Sequence, residues 1–209
     1  MAQERRRGAR GGRQDGGDGP RPPGKVPDAA RLQEAAVAHL ARFAATEAGL
    51  RRVLARRVDR WARAAEAFGV EDVAMLAAGA KQAAAEVARR MAAAGTVDDA
   101  AFAASRARRL LRTGRSRRGT LAHLAQKGVD AETAAAALPE GEDAERDAAI
   151  AFCRRRRIGP FASAEPDLDA RRKAMAALAR AGFGRGVAEA ALSMDRDEAE
   201  TRLLASRQA

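Results

Sequence analysis

Residues 124–138 read LAQKGVDAETAAAAL, and residues 178–192 read LARAGFGRGVAEAAL. The two stretches have Leu, Gly, an apolar residue, Ala and Leu at the same offsets. Each pattern predicts a helix, a glycine that ends it, an apolar residue and a second helix. Residues 46–58, TEAGLRRVLARRV, resemble the start of the same unit. Repeated helical units stack and bury a shared face, so the sequence predicts a small solenoid of three three-helix units.

The composition favours helices along the whole chain. The chain has 209 residues and 46% hydrophobic content, with only one Trp and six Phe to supply bulk. Much of that content is alanine, which favours helix and buries little area per residue. No run of alternating apolar and polar residues indicates a strand. We therefore predict an all-α fold in which helices pack closely around a thin core.

The formal net charge of +11 indicates which binding partners are favoured rather than which fold the chain adopts. Nucleic acid, a nucleoprotein filament and an anionic membrane surface are the usual partners of such a chain. The sequence has no apolar run long enough for a membrane span and no signal-peptide pattern, so we expect no membrane association. Cys153 is the one cysteine. It excludes an intramolecular disulfide and fits a reducing compartment, so we expect a cytoplasmic protein.

Changes in composition divide the chain into four segments. Residues 1–28 are rich in Gly, Arg and Pro and have little to bury, which predicts a disordered basic tail. Such a tail can be a solubilising segment or a weak electrostatic arm. Residues 29–94 are predicted to form the first helical repeat with a linking helix. Residues 95–139 are predicted to form the second three-helix repeat, and residues 140–209 the third.

Polar residues and glycines predict where helices begin and end. Gly49 is predicted to separate two helices, and residues 80–94 to form an alanine-rich helix. The predicted helix caps have a side-chain oxygen that can accept from the free N–H groups of the first helical turn, and they are Thr46, Asp98, Asp99, Ser116 and Asp130.

Few residues are candidates for catalysis or metal binding. The histidines, His39 and His123, have no second metal ligand at suitable spacing, and the helical wheel predicts that His123 is exposed. Cys153 has basic neighbours that could lower its pKa, but a half-buried structural thiol is the favoured interpretation. Asp98 and Asp99 are better interpreted as helix caps than as a metal pair. We therefore predict no enzymatic activity, no metal, no cofactor and no small-molecule substrate.

The basic residues form the strongest functional pattern. Between residues 100 and 128 there are eight Lys or Arg and no Asp or Glu, whereas a solvated helix face usually intersperses Glu with them. This imbalance favours a surface that faces an anion over a merely solvated surface. The predicted contact residues are all basic, and they are Arg108, Arg109, Arg112, Arg115, Arg117, Arg118 and Lys127, with a second patch of Arg154, Arg155, Arg156, Arg157, Arg171 and Arg172.

Residues 96–129, TVDDAAFAASRARRLLRTGRSRRGTLAHLAQKGV, resemble the signature of the RecX family, bacterial regulators of the RecA recombinase. That signature is a Leu-Asp-Asp start, an arginine-rich helix, a glycine-containing turn, a second helix and Lys-Gly-Ile/Val. The matching positions are Asp98, Asp99, Phe102, Ala103, Arg109, Gly114, Leu121, Leu124, Lys127, Gly128 and Val129. Val97 replaces the usual Leu, and Ala101 stands where the family often has Arg.

The resemblance implies three tandem three-helix repeats in an elongated, curved molecule. It implies binding to the RecA–single-stranded-DNA filament without regard to DNA sequence. It also implies inhibition of recombinase, ATPase and coprotease activities, and hence a role in homologous recombination, DNA repair and the SOS response.

Two other functions remain open from the residues alone. A general nucleic-acid-binding protein of nucleoid or RNA-chaperone type would fit the charge. A helical adaptor for a protein partner would fit the repeats. In all three cases the predicted core residues are apolar, and they are Phe102, Leu121, Leu124, Leu138, Leu178 and Leu192.

Overall fold

The computed structural model describes residues 22–208, and every regular element in that range is helical. The helices are α1 (Ala29–Leu40), α2 (Glu47–Ala67), α3 (Val73–Ala93), α4 (Asp99–Arg112), α5 (Arg117–Lys127), α6 (Ala131–Ala136), α7 (Asp143–Arg156), α8 (Leu168–Arg180), α9 (Arg185–Ser193) and α10 (Arg196–Gln208). A short 3-10 turn at Gly159–Phe161 follows α7. The predicted all-α class is confirmed for the described part of the chain.

The end of the predicted tail packs against the first helices. Val26 contacts their core, and the indole N–H of Trp61 donates to the carbonyl of Gly24 at 2.8 Å. Residues 22–28 are therefore held in place, which differs from a disordered segment that reaches residue 28. A half-buried Trp needs a partner for its N–H, and this stretch supplies one. Residues 1–21, the rest of the predicted tail, lie outside the described residues.

The helices pack in three groups. Helices α1, α2 and α3 contact one another (unit 1), as do α4, α5 and α6 (unit 2). Helix α9 packs on α7 and α8 (unit 3), and α10 adds to this unit by packing on α7. The segment 140–209 thus contains four α-helices. Unit 1 has its own buried cluster, whereas units 2 and 3 share one.

Small side chains make this close packing possible. In unit 1, Leu50, Leu54 and Val58 lie on successive turns of α2 and are fully buried, and Ala84 and Ala88 of α3 are fully buried in the same cluster. Alanine lets two helix backbones approach closely, so little bulk is needed to exclude water. Three of the predicted core residues, Leu124, Leu138 and Leu178, are buried in the cluster shared by units 2 and 3. The other three, Phe102, Leu121 and Leu192, are half-buried and pack against that cluster.

The repeated sequence forms the same turn twice. Gly128 and Gly182 have φ values of 88° and 90°, a left-handed conformation that glycine adopts without strain. The following residues, Val129 and Phe183, are buried. Each donates its N–H to the leucine carbonyl five residues earlier, at 3.1 Å in both turns. Each glycine therefore ends one helix and places the next against the core.

A side-chain hydroxyl joins each pair of neighbouring units. The Thr46 hydroxyl, before α2 of unit 1, donates to the carbonyl of Lys127 in unit 2 at 2.6 Å. The Ser116 hydroxyl, before α5 of unit 2, donates to the carbonyl of Ala181 in unit 3 at 2.6 Å. Both acceptors immediately precede the left-handed glycines. We call this arrangement the hydroxyl joint, and the chain uses it at both unit boundaries.

The same hydroxyls cap the helices that they precede. Thr46 accepts from the N–H of Gly49 at 2.9 Å, and Ser116 accepts from the N–H of Gly119 at 3.1 Å. A Cβ atom on Gly49 would lie 2.9 Å from the Thr46 oxygen, and one on Gly119 would lie 3.2 Å from the Ser116 oxygen. Glycine at the third helical position therefore leaves room for the joint. The prediction that Gly49 separates two helices was wrong, since it lies in the first turn of α2.

A carboxylate from the next unit completes each joint. Asp99 accepts from the backbone N–H of Glu47 at 2.9 Å, and Glu145 accepts from the backbone N–H of Arg117 at 2.6 Å. Burial raises the pKa of Glu145, while the N–H and the charge of Arg117 oppose that rise. The Asp99 carboxylate thus serves α2, which differs from its predicted role at the start of its own helix, because the α2 terminus approaches it. Asp98 accepts from Ala101 at the start of α4.

Two further predictions concern the cap of α6 and the start of α3. Asp130 accepts from the N–H of Thr133 at the start of α6 at 2.8 Å. The alanine-rich helix α3 begins at Val73 rather than at residue 80, so α2 and α3 form a longer hairpin than the sequence suggested.

Replacing Ser116 by Ala should lower the free energy of unfolding by about 2–3 kcal/mol, because it removes a helix cap and the donor to a carbonyl of the next unit. Chemical denaturation followed by circular dichroism measures this loss. The matched control is Ser105→Ala on the exposed side of α4, which should change stability by less than about 0.5 kcal/mol. Equal effects of the two substitutions would contradict the joint.

Candidate functional site

Helix α4 places its arginines opposite its core face. Ala103, Ala107 and Leu111 recur at four residues and are buried. The predicted residues Arg108, Arg109 and Arg112 are exposed, and Arg109 and Arg112 lie in the last turn, where cations favour the helix dipole. Their guanidinium groups are therefore free to face solvent or a ligand.

The turn between α4 and α5 begins a row of basic side chains. Arg115 is exposed, and its side chain lies across Gly119, where a Cβ would be 3.2 Å from the Arg115 Cγ. Four and eight residues beyond Gly119 along α5 come His123 and the exposed Lys127. We call Arg115, His123 and Lys127 the α5 row.

The side chains of Arg117 and Arg118 both contact other parts of the fold. The Arg117 guanidinium donates to the carbonyl of Pro139 at 2.8 Å. A Cβ on Gly182 would lie 3.5 Å from the stem of Arg118, so that stem packs beside the turn of unit 3. Substituting either residue would therefore affect packing as well as charge.

His123 is half-buried, which corrects the prediction of an exposed side chain. The Nε–H of Arg106 donates to His123 Nε2 at 3.0 Å. Burial lowers the pKa of His123, and the charges of Arg106, Arg115 and Lys127 lower it further. Arg106 reaches this acceptor from the neighbouring helix α4. Sequence reasoning missed the pair because the contact depends on the angle between two helices.

The second predicted patch begins at the end of α7 and reaches the first. Arg154, Arg155, Arg156 and Arg157 are all exposed. The Arg155 guanidinium donates to the carbonyl of Thr113 at 2.7 Å, which brings the end of α7 beside the end of α4. The guanidinium carbons of Arg155 and Arg156 also lie 5.4 and 5.7 Å from the centre of a buried phenylalanine ring. Within residues 22–208, the side chains of Arg154 and Arg157 form no such hydrogen bond or cation–π contact.

The α8 part of the second patch is more balanced in charge. Arg172 and Lys173 both form salt bridges with Asp169, at 2.9 and 2.7 Å, and these contacts lower the pKa of Asp169. Arg171 and Arg157 line one open groove of about 870 Å³, which also contains carboxylates. The structure therefore brings the α8 residues near the α7 arginines but partly neutralises them.

The predicted set is almost free of salt bridges within the described residues. Within residues 22–208, Arg172 is the one member of that set whose side chain forms a salt bridge. Other arginines are paired, and they include Arg89, Arg146, Arg185, Arg196 and Arg202. A solvated surface of this composition would pair its charges in the same way. The unpaired surface is therefore complementary to a polyanion.

Sequence reasoning missed a further basic stripe on α2. Its six arginines are exposed, and they are Arg51, Arg52, Arg56, Arg57, Arg60 and Arg63. The Arg52 guanidinium donates to the carbonyl of Lys127 at 2.7 Å, so this stripe meets the end of the α5 row. The signal was present in LRRVLARRVDRWAR, which contains a single acid, and that acid, Asp59, pairs with Lys81 at 2.7 Å.

Within residues 22–208, no group of three or more His, Cys, Asp or Glu could hold a metal ion. No helix in the same range is long and apolar enough to cross a bilayer. Cys153 is fully buried rather than half-buried, and burial raises its pKa to about 12. The alternative of an activated thiol was therefore wrong, because burial outweighs the nearby positive charges.

A family model described as RecX, second three-helix domain, matches residues 98–138, which span α4 to α6. The chain is also 37% identical over 174 residues to the Regulatory protein RecX of Myxococcus xanthus, with 82% of this chain and 88% of that protein covered. The chain belongs to the RecX family. It is also 40% identical over 104 residues to the Regulatory protein RecX of Agrobacterium fabrum, with 50% of this chain and 55% of that protein covered.

Membership of the RecX family makes this chain one of a group of regulatory proteins. The match to α4–α6 includes all seven basic residues of the first predicted patch. The first predicted patch thus lies within the part of the chain that matches the RecX second three-helix domain.

Arg157 ends α7 in a left-handed conformation, with φ at 55°, where the turns after α4, α5 and α8 have glycine. Arg157→Gly should therefore raise the free energy of unfolding by about 0.5–1 kcal/mol, because it relieves backbone strain. Arg157→Ala removes the same charge but keeps the strain, so it is the matched control. Denaturation curves in which the two variants coincide would argue against strain at this turn.

The Cys153 thiol should resist modification in the folded protein. With its pKa at about 12, roughly one molecule in ten thousand is a thiolate at pH 8. Ellman's reagent should therefore label the denatured protein rapidly and the native protein only at the rate of unfolding. Rapid labelling of native protein would show that the site is open and ionised.

Proposed function

We propose that the chain binds the filament that RecA forms on single-stranded DNA and inhibits its recombinase, ATPase and coprotease activities. Membership of the RecX family and the unpaired basic surface on α4, α5 and α7 support this proposal. The chain would act in the cytoplasm as a modulator of homologous recombination and the SOS response. It would need no cofactor and no catalytic residue.

The observation that carries the proposal is the charge imbalance of the surface. When unpaired arginines neutralise the phosphates of a polyanion, condensed counterions are released, which favours binding. An arginine that already has a carboxylate partner contributes less of this free energy. Guanidinium groups also bind phosphate with two parallel hydrogen bonds, which suits a backbone contact without base recognition. The proposed contacts are therefore to DNA phosphates and to acidic side chains of the recombinase.

The three units would each take part in this contact. We propose units at residues 29–94, 95–139 and 140–209, with the second unit at the centre of the bound surface. The hydroxyl joints would hold the three basic surfaces at fixed distances from one another. Fixed spacing favours a regular partner such as a filament over a flexible one, because less ordering is needed on binding.

The direct test is ATP hydrolysis by the cognate RecA on single-stranded DNA, measured at fixed salt while this protein is added. Inhibition is expected at concentrations well below one molecule per RecA subunit, since a filament regulator need not cover the DNA. The same titration at higher salt should require more protein, because part of the contact is electrostatic.

Two results would contradict the proposal. Inhibition that begins only when the DNA is saturated would indicate a basic DNA-coating protein. Tight binding to a protein partner that is unchanged by salt would indicate a helical adaptor.

A further inference from the structure

We propose that the α5 row and Arg106 form a proton-linked phosphate subsite, in which His123 takes up a proton as a DNA phosphate binds. This inference rests on the proposed function, because it assigns one phosphate of single-stranded DNA to a particular group of side chains.

His123 lies between two helices at a half-buried position. Arg106 reaches it from α4, and the 3.0 Å contact between Arg106 Nε and His123 Nε2 is a hydrogen bond. Because an arginine has donors and no acceptor, Nε2 must be the unprotonated nitrogen of a neutral imidazole. The hydrogen bond therefore requires neutral His123, and protonation would break it.

The charges that act on the imidazole are all positive. They are Arg106 from α4, Arg115 from the preceding turn and Lys127 from α5 itself, and together with burial they lower the pKa of His123. Helix α6 also packs on α5, and its acid Glu132 is exposed and does not contribute to the shift. Within the described residues, no carboxylate is among the groups that shift the pKa of His123.

The position of Arg115 places a cation on the N-terminal side of the imidazole. Its side chain crosses Gly119, which has no side chain of its own, and so approaches His123 along the helix. On the other side of His123 lies Lys127, one turn further along α5. Arg115 and Lys127 thus flank the imidazole, and both are exposed while His123 is half-buried.

Arg52 lies near the end of α5 but is not part of this subsite. Arg52 of α2 donates to the carbonyls of Gln126 and Lys127, at 3.4 and 2.7 Å, so its guanidinium is engaged by the helix terminus. It is not a cause of the shift in the pKa of His123. The phosphate is therefore expected to contact Arg115, His123 and Lys127, with Arg106 released to it.

A bound phosphate would change which protonation state of His123 is favoured. Its negative charge offsets the three cations and favours the imidazolium form, which raises the pKa of His123 in the complex. Protonated His123 then donates from both nitrogens, and Arg106 loses its acceptor and turns to the phosphate. Binding and proton uptake are thus coupled, so affinity should rise as pH falls between the bound and free pKa values.

The experiment uses the full chain and a fluorescent oligo-dT, with affinity measured by anisotropy between about pH 5.5 and pH 8. Wild-type affinity should increase on acidification, by at most about tenfold per pH unit because one proton is taken up. His123→Gln keeps a polar side chain that does not titrate here, so its affinity should change much less. His39→Gln is the matched control, because it removes the one other histidine and should behave like the wild type.

Proton NMR on the unmodified protein gives a second measurement that needs no variant. The chain has two histidines, so both imidazole signals can be followed through a pH titration. Saturating oligo-dT should raise the pKa of His123, and the His39 signal, which comes from outside the proposed subsite, serves as the reference resonance.

Two outcomes would overturn the inference, and they differ in what else they affect. An unchanged pKa of His123 in bound protein, or equal pH dependence of wild type and His123→Gln, removes the subsite but leaves the proposed filament contact standing. No binding of oligo-dT at any pH removes both the subsite and the DNA part of the proposed function.

Discussion

The structure depends on one repeated contact, the hydroxyl that serves two units at once. Thr46 and Ser116 each accept from their own helix and donate to the helix end of the next unit. Both side chains are almost completely buried. A buried hydroxyl must use its donor and acceptor capacity, so each joint fixes the distance and the angle between two units. The alanine-rich cores exclude water, but a face of small side chains specifies orientation poorly on its own.

The basic surface follows from these joints. The residues just before and after Ser116 are Arg115, Arg117 and Arg118, and they form the start of the arginine-rich surface at the α4–α5 turn. Arg155 and Arg52 reach carbonyls on the neighbouring unit, so they draw the patches of α7 and α2 to the ends of α4 and α5. Some arginines thus hold the fold while their neighbours stay unpaired. This division explains why charge alone does not identify the contact residues.

Local patterns made much of the fold predictable. Ser116 and Asp130 cap helices as their sequence context indicates, and Gly128 and Gly182 end them, because these effects involve residues close together in the chain. Contacts between units could not be predicted in this way. The Ser116 hydroxyl reaches a carbonyl 65 residues away. His123 was misplaced for the same reason, since a helical wheel treats α5 alone and omits Arg106 of α4.

We expect the unpaired arginines, and not the net charge, to determine how the chain binds a polyanion. The most direct test replaces Arg108, Arg109 and Arg112 together by Gln and compares this variant with one in which the paired Arg89, Arg185 and Arg196 become Gln. Both lose three charges. The account predicts that the salt dependence of binding to single-stranded DNA falls by about 0.7 per lost contact, or about 2 in total, in the first variant and hardly changes in the second. An equal fall in both would contradict it.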